Sequence, residues 1–593
     1  MSSAPSASGS PAAAVLSSAV AGTPTADDVV AHTLLNCLLR EVSGPEHQTA
    51  VTDGHLLLRL PRSDTLLRVR LRRASLIGAH RFTGGVGEQR DGAWHELPWQ
   101  RLAEYIHREL ELRTGVRNEE FLGQVASSHA GTSAALAARP PAGKAGQARE
   151  EGPAAPADRY MDSEQSLLFG HRFHPTPKAR TGAPEDWGRF APEARARFAL
   201  HHLAVRRERV RQEAATATAL DAFDRQGSVP EGYVLLPVHP WQYGMLRDHP
   251  VLREAIGRGD VLELGPRGAE FGPTASVRTL YDGRDFLKFS LNVRITNCLR
   301  KNAEYELTGA VALTRILEPV AADLAARFPG TELLREPGYR TLDLGSRELA
   351  EGFGVIVREG LDARLAPGLT ALLAAAVADE YPTGGAQLSR LLAGTGPEST
   401  LAWWNAYLEL LVPPVLAAYF DHGVVLEPHL QNVVIGVDAD GMPRQVLLRD
   451  LEGTKLLPGH HADVLAALPE DVAGPMTYDR ERGWDRVVYC LLVNHLAEML
   501  AALADRHPHL EPELWSAVRR VLAARAAAHD NPPLLRALVA GVPLPAKANL
   551  LTRWERKADR HAGYVRIGSP LVSDLLTVLA ATDSRTEPWS TTL

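Results

Sequence analysis

Cysteine is nearly absent from this sequence. Its 593 residues include three, Cys37, Cys298 and Cys490, far apart and without a CxxC pair. That spacing argues against a disulfide framework and against a structural zinc site, and it suits a reducing cytoplasm. A basic excess is also missing. The 64 Lys and Arg are outnumbered by 71 Asp and Glu, for a net charge of -7. A nucleic-acid partner would normally require the opposite balance, although one basic cleft remains compatible with it. Positive charge is missing from the N-terminus, where the first Lys or Arg is Arg40, so the start does not read as a secretory signal. No uninterrupted apolar run reaches membrane-spanning length. The best candidate, residues 487–503, contains Asn494, His495 and Glu498 and reads as a buried helix. The expectation is a cytoplasmic chain without membrane or nucleic-acid partners.

What remains is ordinary globular material, 45% hydrophobic and 23% charged. The length exceeds one compact core and implies roughly two to four domains. Residues 1–25 are mostly Ser, Ala, Pro and Gly and read as a disordered tail. Residues 127–157 have a similar composition and read as a flexible insertion, and 583–593 as a second tail. Around residues 55–74, "HLLLRLPR" and "LLRVRLRRA" alternate at period two and predict paired strands. From Pro98, "PWQRLAEYIHRELELRTG" predicts a helix ending near Gly115. Residues 304–328 suggest a strand or loop leading into a helix. Residues 401–423 predict a helix kinked at Pro413 and Pro414, because proline removes helix hydrogen bonds. Strands and helices interleave without a βαβ rhythm, so the fold class is α+β with large mixed sheets.

Chemistry concentrates in "EPHLQNVVIGVDADGMPRQVLLRDLEG", residues 427–453. "VVIGV" and "QVLLRD" read as two strands joined at the "DADG" turn. The open end of that hairpin brings Glu427, His429, Gln431 and Asn432 next to Arg449 and Asp450. Glu427, Asn432 and Asp450 supply hard oxygen atoms suited to magnesium, which also takes substrate phosphates. Kinase-like enzymes hold their metal in this way. A surface hairpin with polar ends is the bland alternative.

A second block, residues 273–302, holds Ser276, Arg278 and Thr279, good donors to phosphate oxygens. In it "DFLKFSLNVRIT" reads as one strand that sets Lys288, Ser290, Asn292 and Arg294 on one face, followed by Arg300 and Lys301. These cations suggest an anion-binding wall, or else a solvated sheet face. A third block, "EQSLLFGHRFHPTPKARTG", carries His171, His174, Lys178 and Arg180. Zinc is disfavoured there, since neither cysteine nor a third acidic ligand lies nearby. The fourth, "LLPVHPWQYGML", carries His239, Trp241 and Gln242 and equally suits a buried turn.

Together "GHRFHPTPKARTG", "HPWQY", "SVRTL", "LKFSLNVRITNCLRKN", "EPHLQNVVI", "LLRDLEG" and "PAKANLLTRW", in this order, resemble the NRPS-independent siderophore synthetases, the aerobactin-synthetase-like family. The resemblance runs over roughly residues 37–554, and "NVRITNCLRKN" is most similar to the subgroup acting on a prochiral carboxyl of citrate. The departures are Arg172 in place of a proline, Pro428 and Leu430 in place of small residues, and the long insertion after Gln124.

The resemblance implies a three-part cupped hand with a kinase-like palm. Its thumb would span residues 26–190, its fingers 191–395 and its palm 396–582. It implies an acid–amine ligase of siderophore biosynthesis and iron acquisition that uses ATP and Mg2+. The acid is adenylated with release of pyrophosphate, and an amine, hydroxylamine or alcohol then displaces AMP. Ser276, Arg278, Thr279 and Lys288 would bind the phosphates. Arg300 would neutralise the α-phosphate or the acid, and His429 would meet the acyl phosphate. Gln431 and Asn432 would contact nucleotide or metal, with Glu427 and Asp450 on the metal side. His171 or His174, and Lys178, would line the acid pocket. Lys547 and Arg553 would hold other carboxylates or the nucleophile. Citrate leads among acids, ahead of a succinyl-hydroxamate or 2-oxoglutarate, and a homodimer is common in the family. The competing readings are a kinase-like phosphotransferase, which lacks a Gly-rich loop and an HRD aspartate here, and a non-catalytic anion- or siderophore-binding protein.

Overall fold

A computed structural model describes residues 23–138, 155–180, 187–295, 298–381, 388–558 and 561–572, without the side chains of 294–300. The tails expected over 1–25 and 583–593 therefore fall almost wholly outside it. Thr25 is within it and caps the helix Ala26–Leu38, its hydroxyl accepting from the Asp28 amide at 3.1 Å.

The N-terminal body is a five-stranded antiparallel meander in sequence order, running from Thr49–Thr52 to Ala93–Leu97. The two strands expected at residues 55–74 are its second and third, His55–Leu60 and Thr65–Arg73, paired Leu58 to Leu67. Leu56, Leu58 and Leu60 alternate inward, as period two requires. Helix Trp99–Thr114 packs behind and stops at Gly115, whose φ of 69° a residue without a Cβ adopts freely. Helix Phe121–Ala137 extends into the stretch expected to be a loop, because its alanines are strong helix formers; residues 139–154 of that insertion lie outside the described part. Leu550 and Trp554, from the far end of the chain, complete this core.

The middle body is an eight-stranded sheet in which each neighbouring pair is antiparallel. Here the expected strand over "DFLKFSLNVRIT" is two. Phe286–Phe289 lies inside this sheet, and Leu291–Ile295 pairs separately with Cys298–Arg300. The break falls at Ser290, whose hydroxyl donates to the Glu351 carbonyl and accepts from the Asn302 amide.

The C-terminal body contains the expected hairpin, Val433–Val437 with Pro443–Leu448. The Asp438 carboxylate closes its turn by accepting from the Asp440 and Met442 amides, both at 3.0 Å. Thr370–Leu373 joins one edge antiparallel and Thr331–Leu333 the other edge parallel, so this mixed sheet crosses the border expected at residue 395. Residues 304–327 are helical from the first, Glu304–Arg327, and the expected strand or loop lies before them; the Glu306 carboxylate turns back to the Ala303 amide and starts the helix. Helix Pro397–Phe420 runs through Pro413 and Pro414 as one element. Residues 480–506 also form one continuous helix, long and apolar enough to cross a membrane by composition, but 94% of its most apolar 18-residue stretch is buried inside the protein. The architecture is α+β.

Candidate active site

The three bodies enclose one cleft of about 1130 Å³, and every expected site residue lines it except Arg300 and Arg553. Arg300 ends a strand opposite Leu291, and its side chain lies outside the described part. Arg553 sits on Asn549–Trp554, a helix that docks Leu550 and Trp554 into the N-terminal core. Arg553 is buried there, its carbonyl accepting from Asn118, behind the cleft wall.

Strand pairing sets Thr279 directly opposite Lys288. Just before them the chain makes a tight turn at Val277, whose φ of 69° is a true outlier for a β-branched residue. The turn is over-determined. The Val277 amide donates to the Thr274 carbonyl and the Thr279 amide to Ser276 Oγ, while Val277 packs with Trp187, Leu291 and Val293. Strain held by surrounding structure in this way is a mark of functional turns. It aims the Ser276 hydroxyl and Arg278 into the cleft.

Lys288, at 1% side-chain exposure, points from its strand to the end of the hairpin. Its Nζ lies 2.6 Å from Asp450 Oδ1, 2.8 Å from Glu452 Oε2 and 3.7 Å from Glu336 Oε1. Arg278 reaches Glu452 at 2.7 Å and donates to Asn302 at 2.7 Å. Arg358 bridges Glu336 at 2.7 Å and Asp450 at 3.1 Å. Three cations thus meet three carboxylates; of the expected anion-binding strand only Lys288 belongs to this charge-balanced cluster, and the side chains of Arg294 and Arg300 lie outside the described part. Burial alone would raise the Asp450 pKa, but Lys288 and Arg358 hold it well below the usual range. Glu452 is held at about 2, burial being outweighed by Lys288 and Arg278. Burial alone would lower the Lys288 pKa, but Asp450, Glu336 and Glu452 raise it above the ordinary lysine value. All three groups are ionised at neutral pH. Asp450 takes a left-handed φ of 71°, which turns its carboxylate back toward Lys288.

A second set of contacts fixes the hairpin's other end. Arg449 donates to the Gln431 carbonyl at 3.0 Å and pairs with Glu164 and the Tyr160 hydroxyl. The other Glu164 oxygen accepts from the Ala275 amide at 2.9 Å, so one carboxylate ties the hairpin to the Ser276 turn. The amide of Asn432 donates to the Glu427 carbonyl, and the Glu427 carboxylate faces Arg486 at 3.4 Å. Leu430, next to His429, donates its amide to Asn494 Oδ1, and Asn494 Nδ2 lies 2.8 Å from His171 Nε2. His429 and His171 are both neutral. Burial lowers the pKa of His429 against the opposing pull of Glu427 and Asp450, and burial with Arg40 pushes His171 down to about 3. The third-block residues behave differently from one another. His174 accepts from the Thr176 amide, while Lys178 is neutralised by Glu193 at 2.5 Å. His239 is a buried helix cap that accepts from the Trp241 amide, the bland reading of that motif.

Sequence reasoning missed Glu452, Glu336 and Arg358. Glu452 stands two residues past Asp450 and could have been found there. Glu336 lies in the loop before Gly338–Leu342 and Arg358 ends the strand Val355–Arg358, and neither carries a local signal.

The chain's likeness to known proteins fits this geometry. It is 31% identical over 423 residues to the L-2,3-diaminopropanoate–citrate ligase of Staphylococcus aureus, a match covering 67% of this chain and 72% of that one. Residues 159–379 match the IucA / IucC family. The chain belongs to that family. The rhizobactin siderophore biosynthesis protein RhbC of Rhizobium meliloti is another IucA / IucC relative, 29% identical over 91% of this chain and 96% of its own. The ATP-bound aerobactin synthetase IucA from a hypervirulent pathotype of Klebsiella pneumoniae superposes with a TM-score of 0.80 at 26% identity, over 92% of this chain and 99% of that one. Residues 401–562 also match the family described as ferric iron reductase FhuF-like transporter.

Proposed function

We propose that this cleft adenylates citrate with ATP and joins the product to an amine, making the chain an acid–amine ligase of siderophore biosynthesis. One observation carries the reading: the charge-balanced cluster of Lys288, Arg278 and Arg358 with Asp450, Glu452 and Glu336 adjoins the same cleft as two neutral histidines, His171 and His429. Bringing a carboxylate against a triphosphate needs fixed positive charge, and the cluster stores it. Relatives named as citrate ligases support citrate over the other acids.

Among the described residues no group of three or more His, Cys, Asp and Glu could hold a metal by themselves. Mg2+ does not need one, because it is bound through one or two carboxylates together with substrate phosphates. Asp450 and Glu452 fit that demand, with the Asn432 and Glu427 oxygens beside them. When bound, the ion would supply positive charge against the phosphates. With Asp450 and Glu452 engaged as its ligands, Lys288 and Arg278 would face the phosphates with the Ser276 and Thr279 hydroxyls.

The acid oxygen attacks the α-phosphorus, the α–β phosphoanhydride breaks and pyrophosphate leaves. The amine nitrogen then attacks the acyl carbon, the C–O bond to AMP breaks, and the amine gives up a proton. His429, kept neutral, can hydrogen-bond the acyl phosphate without adding charge. The remaining steps are matters of positioning. A need for ATP and citrate places the protein in a cytoplasm. A screen of carboxylic acids with ATP and hydroxylamine tests this: citrate should give a hydroxamate with AMP, whereas ADP as product would indicate a phosphotransferase.

A further inference from the structure

Arg40 has no assigned task in the chemistry above, yet it is one of the most unusual cations in the chain. It is 6% exposed and lines the cleft. Its guanidinium lies 3.2 Å from the centroid of the Phe173 ring. Among the described residues its side chain makes no ion pair and no hydrogen bond. Arginine does not lose its proton in proteins, so this charge stays buried and unbalanced in the absence of ligand. One turn earlier, Asn36 lies on the same helix face, lines the same cleft and leaves its Oδ1 buried without a partner.

The backbone is shaped around this corner. Arg40 sits in a π-helical turn, Leu39–Ser43, that follows Ala26–Leu38. A second π-helical turn, Tyr489–Leu496, faces it and supplies Tyr489, Cys490 and Asn494 to the cleft. Such turns insert a residue, re-aim the side chains around it and are frequent at functional sites. The corner connects to the reacting end by short contacts: Phe173 under Arg40 neighbours His171, His171 meets Asn494, and Asn494 holds the amide next to His429. The groups acting most strongly on Arg40 are Tyr489, Glu498, Glu41 and Cys37, none of which belongs to the phosphate-side cluster.

We propose that Arg40 is the receptor for a non-reacting carboxylate of the substrates, held between the two π-helical turns, with Asn36 Oδ1 placed to accept from a substrate hydroxyl or ammonium beside it. This rests on the ligase reading above and adds the point that fixes substrate orientation. A planar guanidinium with an aromatic ring beneath it presents its fork to a carboxylate, which gives bidentate recognition. The carboxylate comes either from the acid, as one of citrate's spectator groups, or from an amino-acid nucleophile.

The test compares wild type with Arg40→Met and Arg40→Lys. Because Arg40 makes no ion pair or hydrogen bond among the described residues, Arg40→Met, which keeps an apolar contact with Phe173, should melt at the wild-type temperature or above; a merely structural arginine would melt lower. In the hydroxylamine assay, whose nucleophile has no carboxylate, Arg40→Met should raise the KM for citrate by about 10- to 100-fold with the KM for ATP unchanged. Arg40→Lys, which keeps the charge without the fork, should fall between the two. If instead the citrate KM holds while the KM for 2,3-diaminopropionate rises and that for ethylenediamine does not, the carboxylate is the nucleophile's. Unchanged KM values for all of these in a folded Arg40→Met overturn the proposal, as does a folded variant in which the ATP KM alone rises. Failure of the wild type to form any hydroxamate would count against the ligase reading instead.

Discussion

Two clusters in this chain each set arginine or lysine side chains against carboxylates, for different ends. At the cleft, Lys288, Arg278 and Arg358 meet Asp450, Glu452 and Glu336. Between the N-terminal sheet and the C-terminal helices, Arg73, Arg81 and Arg172 meet Glu380, Glu498, Asp505 and Glu511, with Arg81 2.9 Å from Asp505 and Arg73 2.6 Å from Glu511. In the first cluster the cations are buried but Asp450 and Glu452 are about one-third exposed, 32% and 31%. In the second, which also reaches the cleft at Arg172, Glu380 and Glu498, Arg81 is fully buried and its partners Glu380, Glu498 and Asp505 are 11%, 11% and 22% exposed. Carboxylates that can turn toward solvent can exchange a cation for a ligand. Carboxylates locked between two bodies act as mortar. Exposure of the acidic partner, not the number of pairs, separates a working cluster from a structural one.

The comparison can be broken by removing one cation from each. Lys288→Met should lower the rate of citrate-dependent pyrophosphate release by about 100- to 1,000-fold, as loss of one preorganised charge does elsewhere. Arg81→Met should leave the rate per folded molecule nearly unchanged but cost about 3–5 kcal/mol in denaturant unfolding, since it strands buried carboxylates. Comparable rate losses in both variants would erase the distinction. Glu452→Gln should have a smaller effect, about 10-fold on the rate, with a raised requirement for Mg2+ measured by titration.

The smallest effect concerns pH. Burial pushes His171, His239 and His495 down to about 3, so they stay neutral in the fold. The unfolded chain takes up these protons first, below about pH 6.5. Stability is therefore complete above that value and is lost as pH falls toward 3, by up to about 1.4 kcal/mol per pH unit for each group. Glu452 and Glu193, both held at about 2, have the other sign of charge and act later. Their contributions are present above about pH 4.5 and are lost between there and 2. His171→Gln should flatten the first stage by about one proton in unfolding measured from pH 6 to 4, and leave the second stage unchanged.

Much of the cleft rim could be read from the sequence because it is local. The hairpin, its polar ends and the Lys288 strand are each encoded within a short segment whose period and turn residues are visible. Glu336 and Arg358 were not legible, since one is a loop residue and the other a strand end, each beside an opposite charge, and they acquire meaning only when the fold brings them to Lys288 and Asp450. Arg40 was hidden for a related reason: nothing in "NCLLREVS" announces a π-helical turn. The reading of residues 286–295 as one strand failed at Ser290, where side-chain hydrogen bonds to distant backbone groups override a sound period-two pattern. The resemblance implied a substrate contact at Arg553, but the apolar face of its helix belongs to the N-terminal core and Arg553 is buried there.

The central claim is that the cleft moves the α-phosphorus of ATP onto citrate. The most direct measurement is the fate of labelled ATP with Mg2+, citrate and hydroxylamine. The account predicts AMP and pyrophosphate in step with a citryl hydroxamate. Formation of ADP, or ATP consumption indifferent to citrate, would contradict it.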